Sequence, residues 1–197
     1  MKRRLATIPI RKRIFLGCEG ESEHGYGALL ARLADEAGLH LAIQSALLRP
    51  GGGDPLALVE LAVELSRRGE KKRGAFALKA VLLDRDKVGI APERDKRLFS
   101  LAAENCLRLI WQDPTHEALL LRHLGGCDQL RPQTSLLALA DLQRQWVDYK
   151  KPMPALRLSA RLGMAELRRA CAVEDSLREF LIECGFPVMQ ESSRGVT

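Results

Sequence analysis

Acidic residues stand directly after two apolar segments of the 197-residue chain. Glu19 follows the run RIFLGC, with Glu21 and Glu23 close behind it, and Asp84 and Asp86 follow FALKAVLL. Clustered carboxylates repel one another, and their pKa values rise unless a cation compensates the charge. Carboxylate oxygens of this kind suit Mg²⁺ or Mn²⁺, which also bridge to the phosphates of a substrate. The two acidic groups therefore predict a divalent metal site.

Buried strands are predicted to position these acids, because the preceding runs have no polar face. Strands alternate with helices in the order β-α-β-α-β-α-β, which predicts an α/β fold with a parallel sheet of about four strands and helices on both faces. The predicted strands cover 13–18, 39–48, 76–83 and 107–111. The intervening helices cover 23–37, 54–69 and 93–106, with a charged turn at 70–74. Since parallel strands end at one edge of a sheet, both acidic groups are expected at that edge.

The rest of the chain is predicted to be helical. Its helices cover 115–124, 134–149, 153–161, 163–171 and 174–184. These assignments divide the chain into a basic arm at 1–12, an α/β domain at 13–124, a helical C-terminal extension at 125–190 and a tail at 191–197.

Positive charge is concentrated at the start of the chain. The formal net charge is +6, and the first 18 residues hold six bases and no acid, so the remainder is neutral. These bases are Lys2, Arg3, Arg4, Arg11, Lys12 and Arg13. Such an arm fits a polyanionic partner, with a solubilising tail as the alternative. Together with the bases between Arg144 and Arg169, the arm is expected to border the acidic pocket.

Several other classes of protein are disfavoured. No apolar stretch approaches the ~20 residues of a membrane span, and the start lacks the apolar core of a signal peptide, so a cytoplasmic protein without membrane contact is expected. Five cysteines without a CxxC pair fit neither a disulfide scaffold nor a zinc knuckle. The glycine-rich RPGGGD lacks the GK[ST] of a P-loop, and no GxSxG nucleophile motif is present.

The acidic motifs resemble those of the Toprim fold. That fold has a glutamate and glycine after its first strand, here Glu19-Gly20, and a DxD after its third, here Asp84-Arg85-Asp86. The segment EGESE resembles the EGxSE of small stand-alone members, namely RloB-like proteins and the nuclease part of OLD-family proteins. Pro114, Glu117 and the leucine-rich LLLRHL loosely resemble a later element of those proteins. The resemblance covers about residues 13–124.

This resemblance implies a nuclease that hydrolyses phosphodiester bonds of DNA or RNA with Mg²⁺ or Mn²⁺. It implies Asp84 and Asp86 as metal ligands and Glu19 as a ligand or general acid/base, while Glu23 is a further candidate ligand. Arg85 or Lys87 is expected to steady charge on the phosphate. The resemblance also implies a role in prokaryotic anti-phage defence and an ATPase partner of the OLD or ABC type.

Two other functions remain open at this point. One is a non-catalytic subunit that binds nucleic acid or assembles with partners while keeping a Toprim shell. The other is a primase-like nucleotidyl transferase that uses the same acids. Metal-dependent cleavage separates the nuclease from the first, and incorporation of nucleoside triphosphates identifies the second.

Overall fold

The computed structural model describes residues 11–49 and 53–189, in which four strands alternate with the first helices. The strands are β1 (Lys12–Cys18), β2 (Leu41–Leu47), β3 (Leu78–Asp84) and β4 (Leu107–Gln112). The helices are α1 (Glu21–Glu36), α2 (Pro55–Arg73), α3 (Pro92–Glu104), α4 (His116–His123), α5 (Ser135–Gln145), α6 (Ala155–Ser159), α7 (Met164–Cys171) and α8 (Asp175–Cys184). The predicted α/β class and the order of its elements are confirmed.

All four strands are parallel and lie in the order β2-β1-β3-β4. The chain moves outward from β1 to β2 and then returns to place β3 on the other side of β1. The two central strands therefore flank the point at which the direction of winding reverses. Loops that leave parallel strands at such a point separate and open a crevice. Glu19 follows one of these central strands, and Asp84 ends the other.

Side chains alternate between two apolar layers, one on each face of the sheet. Ile14 and Leu16 of β1 pack towards α1, α4 and the C-terminal helices. Phe15 packs on the opposite face with residues of α2 and α3. Because successive residues of a strand point to opposite faces, a strand that is apolar throughout fits a sheet covered on both sides.

Helix α2 begins where the sequence predicts but ends later. The Asp54 carboxylate accepts hydrogen bonds from Leu56 N at 2.8 Å and Ala57 N at 3.3 Å, which caps the helix start. The turn predicted at 70–74 is wrong, since the helix continues to Arg73 and ends at Gly74, whose φ is 86°. Residues 70–73 are Glu, Lys, Lys and Arg, which are good helix formers, and the cations are favoured at a helix C-terminus.

The C-terminal extension shares the core of the sheet. Trp146, Tyr149 and Phe180 belong to the same buried cluster as Ile14 and Leu16. Helix α5 ends at Gln145 rather than at the predicted 149, because the chain turns there to bury Trp146 and Tyr149. Residues beyond 124 are therefore part of the fold that surrounds the sheet.

The segment after Tyr149 runs directly over the start of α1. Ser22 Oγ accepts a hydrogen bond from Met153 N at 3.1 Å. Gly25 allows this close approach, since a Cβ there would overlap the carbonyl oxygen of Met153.

Within the described residues, no helix has the length and apolar character needed to cross a membrane. The predicted tail at 191–197 and the start of the arm at 1–10 lie outside the described residues.

Candidate functional site

Carboxylates surround a cavity of about 420 Å³ at the C-terminal edge of the sheet. Glu19 and Glu23 enter it from the junction of β1 and α1, Asp84 from the end of β3, and Glu117 from the first turn of α4. Lys151 of the extension supplies positive charge. The full lining is Glu19, Gly20, Glu21, Ser22, Glu23, Asp84, Glu117, Lys151 and Pro152.

Gly20 brings Glu19 and Glu23 to the same cavity. It stands between β1 and α1 in an extended conformation, so the chain enters the helix immediately after Glu19. A Cβ on Gly20 would lie 3.0 Å from Glu23 Oε2, so a glycine leaves room for that carboxylate. Glu23 is 7% exposed. Glu21 is instead exposed and forms an ion pair with Arg49 at 2.9 Å.

Asp84 is held at the floor of the cavity. The loop after β3 is fixed by hydrogen bonds from Arg85 N to Gln112 O and Pro114 O, both at 3.0 Å. Asp84 Oδ1 is buried and has no hydrogen-bond partner in the described residues. Burial, followed by the charges of the surrounding carboxylates, raises the pKa of Asp84 to about 8. These carboxylates are Glu23, Glu19, Asp86 and Glu117.

Glu19 also retains its proton more readily than an ordinary glutamate. Burial and the charge of Glu23 raise its pKa, and the charge of Lys87 opposes the rise. Lys87 lies close by across Gly53: a Cβ on that glycine would overlap Lys87 Nζ and lie 3.2 Å from Glu19 Oε1. Gly53 directly precedes Asp54, the residue that caps α2. The end of the loop between β2 and α2 therefore lies on this side of the cavity.

Glu117 differs from the other acids because its charge is compensated. Its Oε1 contacts Lys151 Nζ at 2.6 Å and accepts a hydrogen bond from Tyr149 at 2.9 Å. Its Oε2 accepts one from Thr115 at 3.1 Å. Burial alone would raise the pKa of Glu117, but the hydrogen bond and charge of Lys151 lower it below its ordinary value. Glu117 therefore stays ionised inside the protein.

The donor set fits a hydrated divalent ion. Glu19, Glu23 and Asp84 offer only oxygens, and the unpartnered Oδ1 of Asp84 is the kind of atom that a cation would satisfy. In the described residues, no three acidic, histidine or cysteine side chains converge into a ready-made metal cage. Mg²⁺ does not need such a cage, since it commonly binds one or two carboxylates and keeps several waters for exchange with substrate phosphates.

The remaining acid and bases predicted near β3 lie outside this cavity. Asp86 is exposed, although it is close enough to raise the pKa values of Glu19 and Asp84. Lys87 is exposed beside Glu19. Arg85 lines a separate cavity of about 350 Å³ together with Trp111. Of the predicted loop residues, Asp84 alone forms part of the carboxylate wall.

Arg11, Lys12 and Arg13 lie at the opposite edge of the sheet. Lys12 begins β1 and Cys18 ends it, and a seven-residue strand spans roughly 20 Å. Arg11 pairs with Asp35 at 3.0 Å. The expectation that these three bases border the acids is therefore wrong, because strand direction places them at its far end.

The C-terminal bases are mostly used within the fold. Arg161 donates to Gln145 O and Arg168 to Pro187 O, both at 2.7 Å. Arg144 forms an ion pair with Asp141 at 2.9 Å. Lys151 is the base from this region that lines the cavity. Lys151 belongs to the bases between Arg144 and Arg169 that the sequence predicts beside the acids, so for this residue the structure agrees with the expectation.

No protein-family model, curated protein or solved structure matches the chain.

Proposed function

We propose that this protein is a Mg²⁺-dependent phosphodiesterase that cleaves nucleic acid. One observation carries the proposal: Asp84, with a buried unpartnered oxygen and a pKa raised to about 8, lies beside Glu19, Glu23 and Glu117 in a cavity at the switch point of a parallel sheet. Such an arrangement is unfavourable without a cation. A divalent ion would relieve the repulsion and recruit a phosphate group to the cavity.

The residues divide into two roles within this proposal. Asp84 and Glu23 face the cavity with uncompensated oxygens and would hold the ion, which would polarise a phosphate and lower the pKa of a bound water. Glu19, whose pKa is raised, is suited to accept a proton from the attacking water or to act as a further ligand. Asp86 lies in the exposed loop close to both acids and would act through an outer water.

Two lysines provide positive charge on either side of the carboxylates. Lys151 lines the cavity with its side chain 57% exposed, and Lys87 lies beside Glu19. Cations in these positions would stabilise the charge that develops on a phosphate during attack. The combination of acids for the ion and bases for the phosphate favours phosphodiester chemistry over a purely structural acidic cluster. A role in anti-phage defence and an ATPase partner stay predictions that rest on the resemblance.

The test is a cleavage panel. Labelled single- and double-stranded DNA and RNA are incubated with the protein and Mg²⁺, Mn²⁺ or a chelator. We expect cleavage that requires the metal, and a loss of ~10²-fold or more in Asp84→Asn and in Glu19→Gln. The matched control is Asp35→Asn, which makes the same chemical change at an exposed carboxylate beside Arg11 on the far side of the fold.

Three results would contradict the proposal. Cleavage that is equal in the chelator would remove the metal from the reaction. Equal activity of Asp84→Asn and Asp35→Asn would remove this cavity from it. Absence of cleavage on every substrate, with retained binding, would favour the non-catalytic subunit. Including nucleoside triphosphates in the same panel detects a nucleotidyl transferase by extension of the labelled strand.

A further inference from the structure

A second charged surface lies at the opposite end of the fold from the carboxylates. Helix α2 runs back from the cavity side of the sheet and ends at Arg73, beside the first residues of β1. Its last turns present Arg67, Lys71, Lys72 and Arg73 to solvent. Arg13 joins them from β1, where its guanidinium donates to Gly74 O and lies 4.1 Å from the ring centroid of Phe76. We call these five residues the basic end.

The basic end is not neutralised by neighbouring acids. Across residues 11–49 and 53–189, none of its five side chains forms an ion pair. Glu70, which lies among them in sequence, contacts Lys79 at 3.7 Å and accepts a hydrogen bond from Phe76 N at 3.4 Å. The helix dipole accounts for a preference for one or two cations at a helix C-terminus, but not for Arg13 on the adjacent strand.

Two bases of the surface are fixed by neutral partners. Arg67 donates to the side-chain oxygen of Asn105 at 2.8 Å, and Arg13 is held by a carbonyl and an aromatic ring. These contacts position both guanidinium groups without cancelling their charge. A groove of about 490 Å³ opens beside them along the starts of β3 and β4, and Phe76 lines it. The surface thus combines positioned positive charge with a concave neighbour.

We propose that the basic end binds the phosphate backbone of a polynucleotide at a distance from the carboxylate cavity. Guanidinium and ammonium groups spaced along a helix end match repeated phosphates, whereas a small anion needs only one such contact. The length of β1 separates the two sites by roughly 20 Å, equivalent to about six base pairs of duplex. This inference rests on the proposed function, which makes the polynucleotide the substrate of the carboxylate cavity. It predicts that the protein prefers substrates long enough to reach both sites.

Binding is measured first, without cleavage. Anisotropy of a labelled four-base-pair hairpin, which is too short to span both sites, and of a labelled 30-base-pair duplex is recorded in a chelator at several salt concentrations. We expect Lys71→Glu/Lys72→Glu to weaken binding of the longer duplex at least ~10-fold and to lower the salt slope by about two, because two phosphate contacts are lost. Lys71→Gln/Lys72→Gln preserves helix-forming residues and is expected to give a smaller loss in the same direction.

The matched control is Lys96→Glu/Arg144→Glu, which changes net charge equally on exposed parts of α3 and α5. If it reproduces the loss, the effect is one of total charge and the inference is overturned. Binding to vesicles of anionic lipid that depends on Lys71 and Lys72, with no binding to polynucleotides, would also overturn it.

Hydrolysis of a small activated phosphodiester separates this inference from the proposed function. Such a substrate cannot reach the basic end, so both charge variants should hydrolyse it as the unmodified protein does. Loss of duplex binding with normal hydrolysis supports the basic end. Normal duplex binding by the Lys71 and Lys72 variants overturns it, whatever the outcome of the hydrolysis assay. Absence of hydrolysis of this substrate together with absence of polynucleotide cleavage contradicts the proposed function alone.

Discussion

Lys151 and Glu117 form a 2.6 Å ion pair between the C-terminal extension and α4, and the carboxylate is 2% exposed while the lysine is 57% exposed. The pair is thus open to solvent on one side only. It holds one acid of the cavity in its ionised form and fixes the extension against the wall of the cavity. Helix α4 and the extension are consequently joined at the place where the other carboxylates meet.

Removing the charge of Lys151 should destabilise the protein through Glu117. Lys151→Met leaves a buried carboxylate with two neutral donors, so its pKa should rise. We expect a loss of about 1–3 kcal/mol near pH 7, since exposure of the lysine weakens the pair. The lowered pKa of Glu117 means that its ionised form stabilises the folded protein, and this stabilisation is complete above the ordinary pKa of a glutamate. The loss caused by Lys151→Met should therefore fade as pH falls towards and through the lowered pKa of Glu117. Urea unfolding at pH 4 and pH 7 measures it.

A second substitution tests the cause. Lys151→Met/Glu117→Gln removes the uncompensated charge, and it should recover part of the stability that Lys151→Met loses. If the double variant is less stable by the sum of the two single losses, the pair does not interact.

Asp84→Asn should stabilise the metal-free protein at alkaline pH. In the unfolded chain Asp84 ionises near its ordinary pKa of about 4, whereas in the folded protein its pKa is about 8. Between these values the folded chain holds a proton that the unfolded chain has lost, so stability falls as pH rises. At pH 9 in a chelator, we expect Asp84→Asn to be more stable on the order of a few kcal/mol.

The comparison at low pH provides the control for Asp84. At pH 4 the folded carboxyl is protonated and the unfolded one, with a pKa of about 4, is about half protonated, so the difference in stability between the two proteins should nearly vanish. Asp35→Asn, at an exposed side chain, should show no such pH-dependent gain. A destabilised Asp84→Asn at pH 9 would mean that hydrogen bonds of the carboxylate outweigh repulsion.

Mg²⁺ should distinguish two glutamates of the same helix turn. Glu23 is buried against the cavity, whereas the Glu21 carboxylate is engaged by Arg49. We expect Mg²⁺ to raise the melting temperature of the unmodified protein and of Glu21→Gln, and to have a much smaller effect on Glu23→Gln, because ligand binding to the folded state stabilises it. Equal responses of the two variants would exclude Glu23 as a ligand.

Gly25→Ala should separate the extension from α1. The added Cβ would overlap Met153 O, a backbone atom that cannot rotate away. We expect a loss of about 2 kcal/mol, typical of overpacking, and greater hydrogen exchange at Met153 N, which donates to Ser22. Gly125→Ala is the control, because nothing lies within 4 Å of its Cβ. Equal stability of both variants would contradict the observed packing.

The amino-acid sequence determined the elements and the place of the principal acids. Apolar runs without a polar face specify buried strands, and their alternation with helices requires parallel pairing, so residues after each strand meet at one edge. Glu19, Glu23 and Asp84 could be assigned to that edge for this reason. The same argument, carried to the start of β1, places Arg11 to Arg13 at the other edge.

Tertiary structure alone decided which neighbours complete the cavity. Tyr149 and Lys151 reach Glu117 only because α5 ends early and the chain turns into the core, a choice set by burial of Trp146 and Tyr149 rather than by local propensity. Strand order also depends on packing, since the alternating pattern is compatible with several orders. Placing β3 beside β1 brings Asp84 to the acids that follow β1, and burial, followed by the charges of Glu23 and Glu19, then raises the pKa of Asp84.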